Sequence, residues 1–195
     1  MLEEPLILAS ASPRRRELLD AMGVRFEVVT TDVREHDSDS SPHLAPIELA
    51  CENARLKAEA VAQSEQGARR WVLGADTVVA LGDRLFAKPA TLDEAAEFLR
   101  ALSGHTHEVI TGCALLNPDR KTMLFHEVTR VTFHALTDVV VGRYLAEVNV
   151  LDKAGAYALQ ERGEWIIERV EGSRTNVIGL PTEALEKVLI QHGLL

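Results

Sequence analysis

The sequence predicts an α/β fold in which helices pack around a mixed, partly antiparallel sheet. Three observations predict it. Apolar or alternating runs of strand character recur near residues 6–9, 25–30, 71–81, 106–116 and 123–136. Stretches of helical apolar spacing fall among them, the clearest at 45–62 and 92–102. The two kinds do not alternate strictly, as they would in a Rossmann fold, which favours a mixed sheet. A length of 195 residues suits one medium domain, or two small lobes around a cleft. With no repeat, low-complexity tract or linker, residues 1–195 read as a single domain.

Leu6-Ile7-Leu8-Ala9 reads as a short buried strand running into Ser10-Ala11-Ser12-Pro13-Arg14-Arg15 and a helix that Gly23 stops. Ser12 suits the N-cap, and Pro13 suits the first helical position, where its missing N–H costs nothing. The alternating run 25–30 is a strand, and the polar segment 31–42 is the most loop-like stretch. The helix at 45–62 carries an apolar stripe of Ile47, Ala50, Ala54, Ala58 and Val61. The apolar run 71–81 is a strand interrupted in its middle by Asp76 and Thr77, and Gly82-Asp83 turns it into a hairpin. After the helix at 92–102, ended by Ser103-Gly104, come strands at 106–116 and 123–136 and a helix at 138–147. An irregular segment around Asp152-Lys153 precedes a strand at 164–170, and Pro181 opens a last helix at 182–192.

Hydrophobic residues at 46% leave ample material for a core, while aromatics at 5% leave its packing to Leu, Val, Ile and Ala. A net charge of −9 argues against a nucleic-acid or anionic membrane surface. Clustered cations in such a chain therefore point to a local pocket for a small anion. Cys51 and Cys113 lack metal-ligand spacing and read as two buried thiols in a reducing compartment. No apolar run approaches the ~20 residues that span a bilayer. The acidic start, Met1-Leu2-Glu3-Glu4, is unlike a signal peptide, so a cytoplasmic location is expected.

Four constellations carry chemistry. A helix start offers free N–H groups and a positive dipole end, and Ser10, Ser12, Arg14 and Arg15 would add donors for a phosphate. Physics alone divides evenly between that site and a capped helix with solvated arginines. Asp76, a carboxylate within an apolar strand, is costly unless paired or metal-bound, which makes it the best candidate for metal ligand or general base. Glu35 alone reads as a solvated loop acid, yet with Asp76 it would complete an oxygen-rich site for Mg²⁺. Lys57 borders the apolar stripe of its helix, Lys88 closes a hairpin strand, and Lys153 sits among small residues. Each lysine taken singly reads as solvated. His105 and His107 would share a strand face, but without a third ligand they read as an ordinary polar strand end. Neither a P-loop, a dinucleotide fingerprint nor a nucleophile elbow is present.

Taken in order, Ser10-x-Ser12-x-Arg14-Arg15-x-x-Leu18-Leu19, Gly74-Ala75-Asp76-Thr77, Lys88-Pro89, Ser103-Gly104-x-x-His107, Asp152-Lys153-Ala154-Gly155-Ala156-Tyr157 and Gly179-Leu180-Pro181 resemble the Maf family along nearly the whole chain. The resemblance implies a Maf/ITPase-like α/β fold, with an elongated mixed sheet flanked by helices and two lobes around a central cleft. It implies hydrolysis of nucleoside triphosphates, or modified ones, to monophosphate and pyrophosphate with a divalent cation, Mg²⁺ or Mn²⁺, often by a homodimer. Ser10, Arg14, Arg15, Glu35, Lys57, Asp76, Lys88 and Gln160 match the family's functional positions. Asp76 stands where the catalytic acid/base is placed, and Arg14, Thr77 and Gln160 stand where selectivity is assigned. The stretch from Asp152 to Gln160 is similar to the branch acting on dTTP and UTP, as against a sister branch preferring 7-methyl-GTP. The family's helix lysine follows Leu-Ala closely, so choosing Lys57 after Leu49-Ala50 implies an insertion of about one turn (~3.6 residues). Glu161 stands where glycine is common, which would reshape the base pocket.

The expected mechanism has water attacking the α-phosphorus, with Asp76 orienting or deprotonating it, alone or through metal, Glu35 sharing the metal, and Arg14, Arg15, Lys57 and Lys88 neutralising the polyphosphate. Two other readings stand beside it. One is a non-catalytic nucleotide-binding regulator of cell division, and the other a nucleotidyltransferase that uses an acceptor other than water.

Overall fold

The apolar run after residue 71 forms the strand around which the sheet is organised, and in the computed structural model Asp76 and Thr77 do not interrupt it. The structure describes residues 4–37, 40–41 and 43–195. The chain start and part of the polar segment 31–42 (residues 38, 39 and 42) lie outside the described residues. Strands β1 (Leu6–Leu8), β2 (Phe26–Val28), β3 (Val72–Leu81), β4 (Arg84–Phe86), β5 (Thr106–Leu116), β6 (Thr122–Phe133) and β7 (Ile167–Glu171) form one sheet. Its order is β2-β1-β3-β5-β6-β7, with β4 also paired to β3. β1 lies parallel to β2 and β3, and the β3–β4, β3–β5, β5–β6 and β6–β7 pairs are antiparallel. The sheet is mixed, as the lack of strict alternation predicts.

β5 follows one edge of β3 from Val72 to Ala80, so β1 and β4 share the other. β1 pairs there with Val72 and Leu73, and β4 with residues 79 to 81. Between them, residues 74–78 of β3 face no strand among the described residues. This gap in the edge is where a cleft opens.

The helices are α1 (Pro13–Ala21), α2 (Pro46–Gln63), α3 (Leu92–Leu102), α4 (Asp138–Glu147), α5 (Arg174–Ile178) and α6 (Thr182–Gln191). Caps explain most of their starts. Ser12, Thr91 and Thr137 accept from the backbone N–H three residues on, and Glu48 reaches back to the Ala45 N–H at 3.0 Å. The sequence reading misses α5, which is too short to show a period. It also begins β7 early, because residues 163–165 form a 3-10 turn entered through Arg162 at φ +54°.

One face of the sheet carries two apolar cores. Leu73, Ala75, Cys113 and Leu115 join Leu6, Leu8, Leu19, Leu185 and Leu189 at one end. Val79, Val109, Val131 and Phe133 join Leu99, Leu102, Val141 and Tyr144 at the other. Each fully buried Leu or Phe contributes roughly 1.5–3 kcal/mol. Between the cores runs a polar belt. Thr77 meets Thr111 at 2.9 Å, Thr111 donates to the Asn176 carbonyl, and Asn176 donates to the Val109 carbonyl and the Thr129 hydroxyl. α5, lying against the belt, supplies most of the partners that buried polar groups require, while Asn176 Oδ1 has none among the described residues.

The opposite face takes α2. A Cβ at Gly74 would lie 2.2 Å from the Ala54 carbonyl oxygen, and one at Gly112 would lie 2.4 Å from the Ala50 carbonyl carbon. Only glycine permits that approach, and Ala50, Ala54 and Ala58 keep the helix side of the contact small. Ile47, expected in the same stripe, is 37% exposed, since the helix has not yet reached the sheet there. Cys113 is buried as expected, but Cys51 is only half-buried; both are free thiols. No helix among the described residues is long and apolar enough to cross a membrane.

Candidate active site

The gap in the β3 edge opens into a cleft of about 430 Å³. Ser10, Ser12, Arg14, Arg15, Glu35, Lys57, Asp76, Thr77, Lys88, Lys153 and Gln160 all line it. Side chains of adjacent strand residues point to opposite faces, yet Asp76 and Thr77 both reach the cleft because it sits at the edge. One wall comes from the turn into α1 and the segment after β2. The other comes from Lys88, after β4, and from residues 152–160.

The close seating of α2 on Gly74 and Gly112 delivers Lys57 to the β3 carboxylate. Lys57 Nζ lies 2.7 Å from Asp76 Oδ1 and 2.7 Å from Glu35 Oε2. One ammonium thus compensates two carboxylates, which answers the cost of burying Asp76 within an apolar strand. α2 is continuous through this point, and Lys57 meets Asp76 directly. The second oxygen of Asp76 accepts from Asn53 Nδ2 at 3.2 Å.

Arg15 is not solvated. Its Nε donates to the Gly179 carbonyl at 2.8 Å, Nη1 to Ser10 Oγ at 3.0 Å and Nη2 to Thr77 Oγ1 at 3.1 Å. Burial pulls its pKa below the ordinary arginine value, against the raising effect of the Asp76 charge. Gly179, at φ +127°, turns the chain so that its carbonyl meets this guanidinium. Ser10 Oγ also accepts from the Ser12 N–H at 3.3 Å, and Ser12 Oγ accepts, at 3.5 Å, from the Arg15 N–H.

Arg14 crosses the cleft to Asp152, donating to its carboxylate at 2.8 Å and to its carbonyl at 3.2 Å. Lys153, expected in solvent, is buried. Its Nζ contacts Asp152 Oδ1 at 2.9 Å, Glu161 Oε1 at 3.2 Å and the Asn149 carbonyl. Partial burial would raise the Asp152 carboxyl, but hydrogen bonds from Arg14 and Lys153 outweigh it and hold the pKa below the usual value. Glu161 is thereby drawn to Lys153 at the cleft rim. Lys88 and Gln160 are exposed there, and of the three lysines only Lys88 keeps the solvated placement expected of each.

His105 and His107 form no pair. His105 precedes β5 and its Nδ1 lies 2.7 Å from the Ser103 carbonyl. His107 is buried, with Nε2 2.8 Å from the Tyr157 hydroxyl and its ring edge-on to Phe133 and Tyr157. Burial pushes its pKa down to about 4. Tyr157 lines the cleft, so this pair fastens residues 152–160 to β5.

Sequence reasoning misses Asn53, Thr111 and Asn176. An asparagine on a helix and a threonine in a strand carry no local mark, since these partners lie 17 to 67 positions away. Asp152 and Gly179 were visible only as parts of motifs.

The family model for Maf-like proteins matches residues 5–192. A protein of Myxococcus xanthus named dTTP/UTP pyrophosphatase is 45% identical over 191 residues, covering 97% of this chain and 93% of its own. One of the same name from Bacillus cereus is 42% identical over 189 residues, covering 97% and 90%. Among solved structures, a HAM1 protein from Coxiella burnetii superposes with a TM-score of 0.53 at 18% identity, covering 98% of this chain and all of that one. The Staphylococcus aureus Ham1 protein does so at 0.50 and 16%, covering 97% and 100%. At such identities these two speak for the fold alone, and they agree with the expected α/β class. The ordered motifs, the full-length match and the relatives above 40% identity give one answer: this chain is a member of the Maf family.

Proposed function

We propose that the chain hydrolyses nucleoside triphosphates, dTTP and UTP foremost, to the monophosphate and pyrophosphate. The observation that carries this reading is the meeting of Asp76, Glu35 and Lys57 in a cleft that Arg14, Lys88 and Lys153 also line. Cations that suit a polyphosphate thus surround a carboxylate that suits a water. The relatives named dTTP/UTP pyrophosphatase support the choice of substrate.

In the reaction, a water oxygen bonds to the α-phosphorus as the bond to the bridging oxygen breaks, and pyrophosphate departs with that oxygen. Asp76 orients the water and takes its proton. Arg14, Lys57, Lys88 and Lys153 offset charge on the phosphates, while Arg15 braces the turn from Ser10 to Ser12 beneath them. Thr77, Arg14 and Gln160, which line the same cleft, would select the nucleotide.

The residues fit a divalent cation. Two hard oxygen donors converge closely enough to share one ammonium, and Mg²⁺ takes one or two carboxylates together with phosphate oxygens. No group of three or more His, Cys, Asp or Glu able to hold a metal occurs among the described residues, so substrate oxygens would complete the shell. Mg²⁺ or Mn²⁺ held by Glu35 and Asp76 would supply charge neutralisation at the polyphosphate. Residues 1–195 are proposed to act as one unit, in the cytoplasm and as a homodimer, the last checked by light scattering.

The test is pyrophosphate release from a panel of dTTP, UTP, 7-methyl-GTP and the other canonical nucleotides, with and without Mg²⁺ or Mn²⁺. Release led by dTTP and UTP supports the reading. Nucleotide binding without release would favour a regulator, and nucleotide transfer to another acceptor would favour a transferase.

A further inference from the structure

We propose that Asn53 is a positioning residue that sets Glu35 against Asp76, an inference that rests on the hydrolytic reading above. Asn53 sits on α2, one turn before Lys57, and is 3% exposed. Its amide is used from both ends. Oδ1 accepts from the His36 N–H at 2.8 Å, and Nδ2 donates to the His36 carbonyl at 3.0 Å. That amide thereby grips a single residue of the segment after β2 by both of its backbone groups, as a neighbouring strand would. The same Nδ2 also donates to Asp76 Oδ2 at 3.2 Å.

His36 directly follows Glu35, so gripping its backbone fixes where the Glu35 side chain starts. Glu35 itself is exposed and lies in a segment without regular structure. Its carboxylate nevertheless arrives 2.7 Å from Lys57 Nζ. Local contacts add to this placement: His36 Nδ1 lies 2.7 Å from Ser41 Oγ, and the Asp37 carbonyl accepts from the Ser41 N–H at 3.0 Å. A side chain of fixed length between Asp76 and the residue after Glu35 defines the separation of the two carboxylates. Neither a flexible loop nor Lys57, whose long stem adapts to either carboxylate, could define it. Asn53 is not among the residues that line the cleft; it bonds the Asp76 carboxylate and the His36 backbone, and so acts through Asp76 and Glu35.

Asn53→Leu keeps the volume and removes all three hydrogen bonds, and Asn53→Ser serves as a second, smaller variant if the first does not fold. In a folded variant, kcat for pyrophosphate release from dTTP at saturating Mg²⁺ is expected to fall about tenfold, the scale of a catalytic group displaced by under an ångström. KM for dTTP is expected to stay within a factor of about two, because the phosphate-binding cations are untouched. A merely structural residue would lower kcat by the same factor whether or not Glu35 is present. If Asn53 works by placing Glu35, the loss should shrink to under about twofold in a Glu35→Ala background, as coupled residues require. Independently of activity, amide exchange at His36 should accelerate in Asn53→Leu, read by NMR without nucleotide or metal. Equal losses of kcat with and without Glu35, an unchanged kcat, or an unchanged His36 exchange rate would each overturn the proposal. Wild-type protein that releases no pyrophosphate would overturn the hydrolytic reading instead, and the exchange measurement would still judge the grip of Asn53 on His36.

Discussion

Gly112 stands directly opposite Asp76 across the β3–β5 ladder, and the absence of a side chain there lets α2 lie close enough for Lys57 to reach the carboxylate. A Cβ on Gly112 would come 2.4 Å from the Cys51 nitrogen, a contact with helix backbone that no rotamer change relieves. Gly112→Ala is therefore expected to push α2 away from the sheet. The cost should be about 1–3 kcal/mol, as for other overpacked cores, and pyrophosphate release should fall because Lys57 and Asp76 separate. A variant with wild-type melting temperature and activity would show that α2 is not seated as described.

Asp76→Asn should lower turnover by about 10²–10⁴-fold, the contribution expected of a positioned base. Lys57 retains Glu35 as partner, so the fold and nucleotide binding should survive. Calorimetric titration with dTTP alongside the release assay checks both halves. Full turnover in this variant would remove Asp76 from the role of base.

Lys57→Met leaves the Glu35 and Asp76 carboxylates facing each other without their shared ammonium. Like charges so placed repel, and a divalent cation should relieve them. Added Mn²⁺ is expected to raise the melting temperature of the variant more than that of the wild type, even without nucleotide. Turnover should fall as well, since a cation beside the phosphates is gone. An identical Mn²⁺ response in both proteins would mean that the pair does not bind the metal.

His107 gives the protein a pH dependence with a defined sign. Its folded pKa, about 4, lies below the ~6.5 of a free histidine, so the unfolded chain binds more protons between these values. Stability should fall as pH drops from about 6.5 towards 4, by at most on the order of 3 kcal/mol from this group. His107→Gln removes the titration, and its melting temperature should change less over that interval than that of the wild type. Equal slopes would place the titrating group elsewhere.

Much of the fold was legible because local chemistry marks it. Ser12 announces a helix start, Ser103-Gly104 a helix end and Gly82-Asp83 a hairpin, and the missing alternation foretells a mixed sheet. α5 was not legible, since its purpose is to bring Asn176 to threonines on β5 and β6 that are distant in sequence. At the cleft, Asp76 stood out as a carboxylate in an apolar run, and Lys57 as a cation bordering an apolar stripe. Arg15 read as a phosphate ligand, yet in the structure its three donors bind Gly179, Ser10 and Thr77. No local pattern reveals which arginine of an adjacent pair turns inward. Lys153 was misjudged for a related reason: its carboxylates, Asp152 and Glu161, gather around it only once residues 152–161 fold back.

The break in the β3 edge between β1 and β4 has a consequence for how such a site can change. Asp76 and Thr77 enter the cleft from opposite faces of a single strand, so one peptide link joins the residue proposed for hydrolysis to one proposed for choosing the nucleotide. Sliding β3 by one residue would exchange their faces and abolish both roles together. New preferences can arise only by substitution within a fixed frame, at Thr77 or on the wall around Gln160. The frame itself, pinned by β5 along the opposite edge from Val72 to Ala80, leaves the strand no freedom to drift.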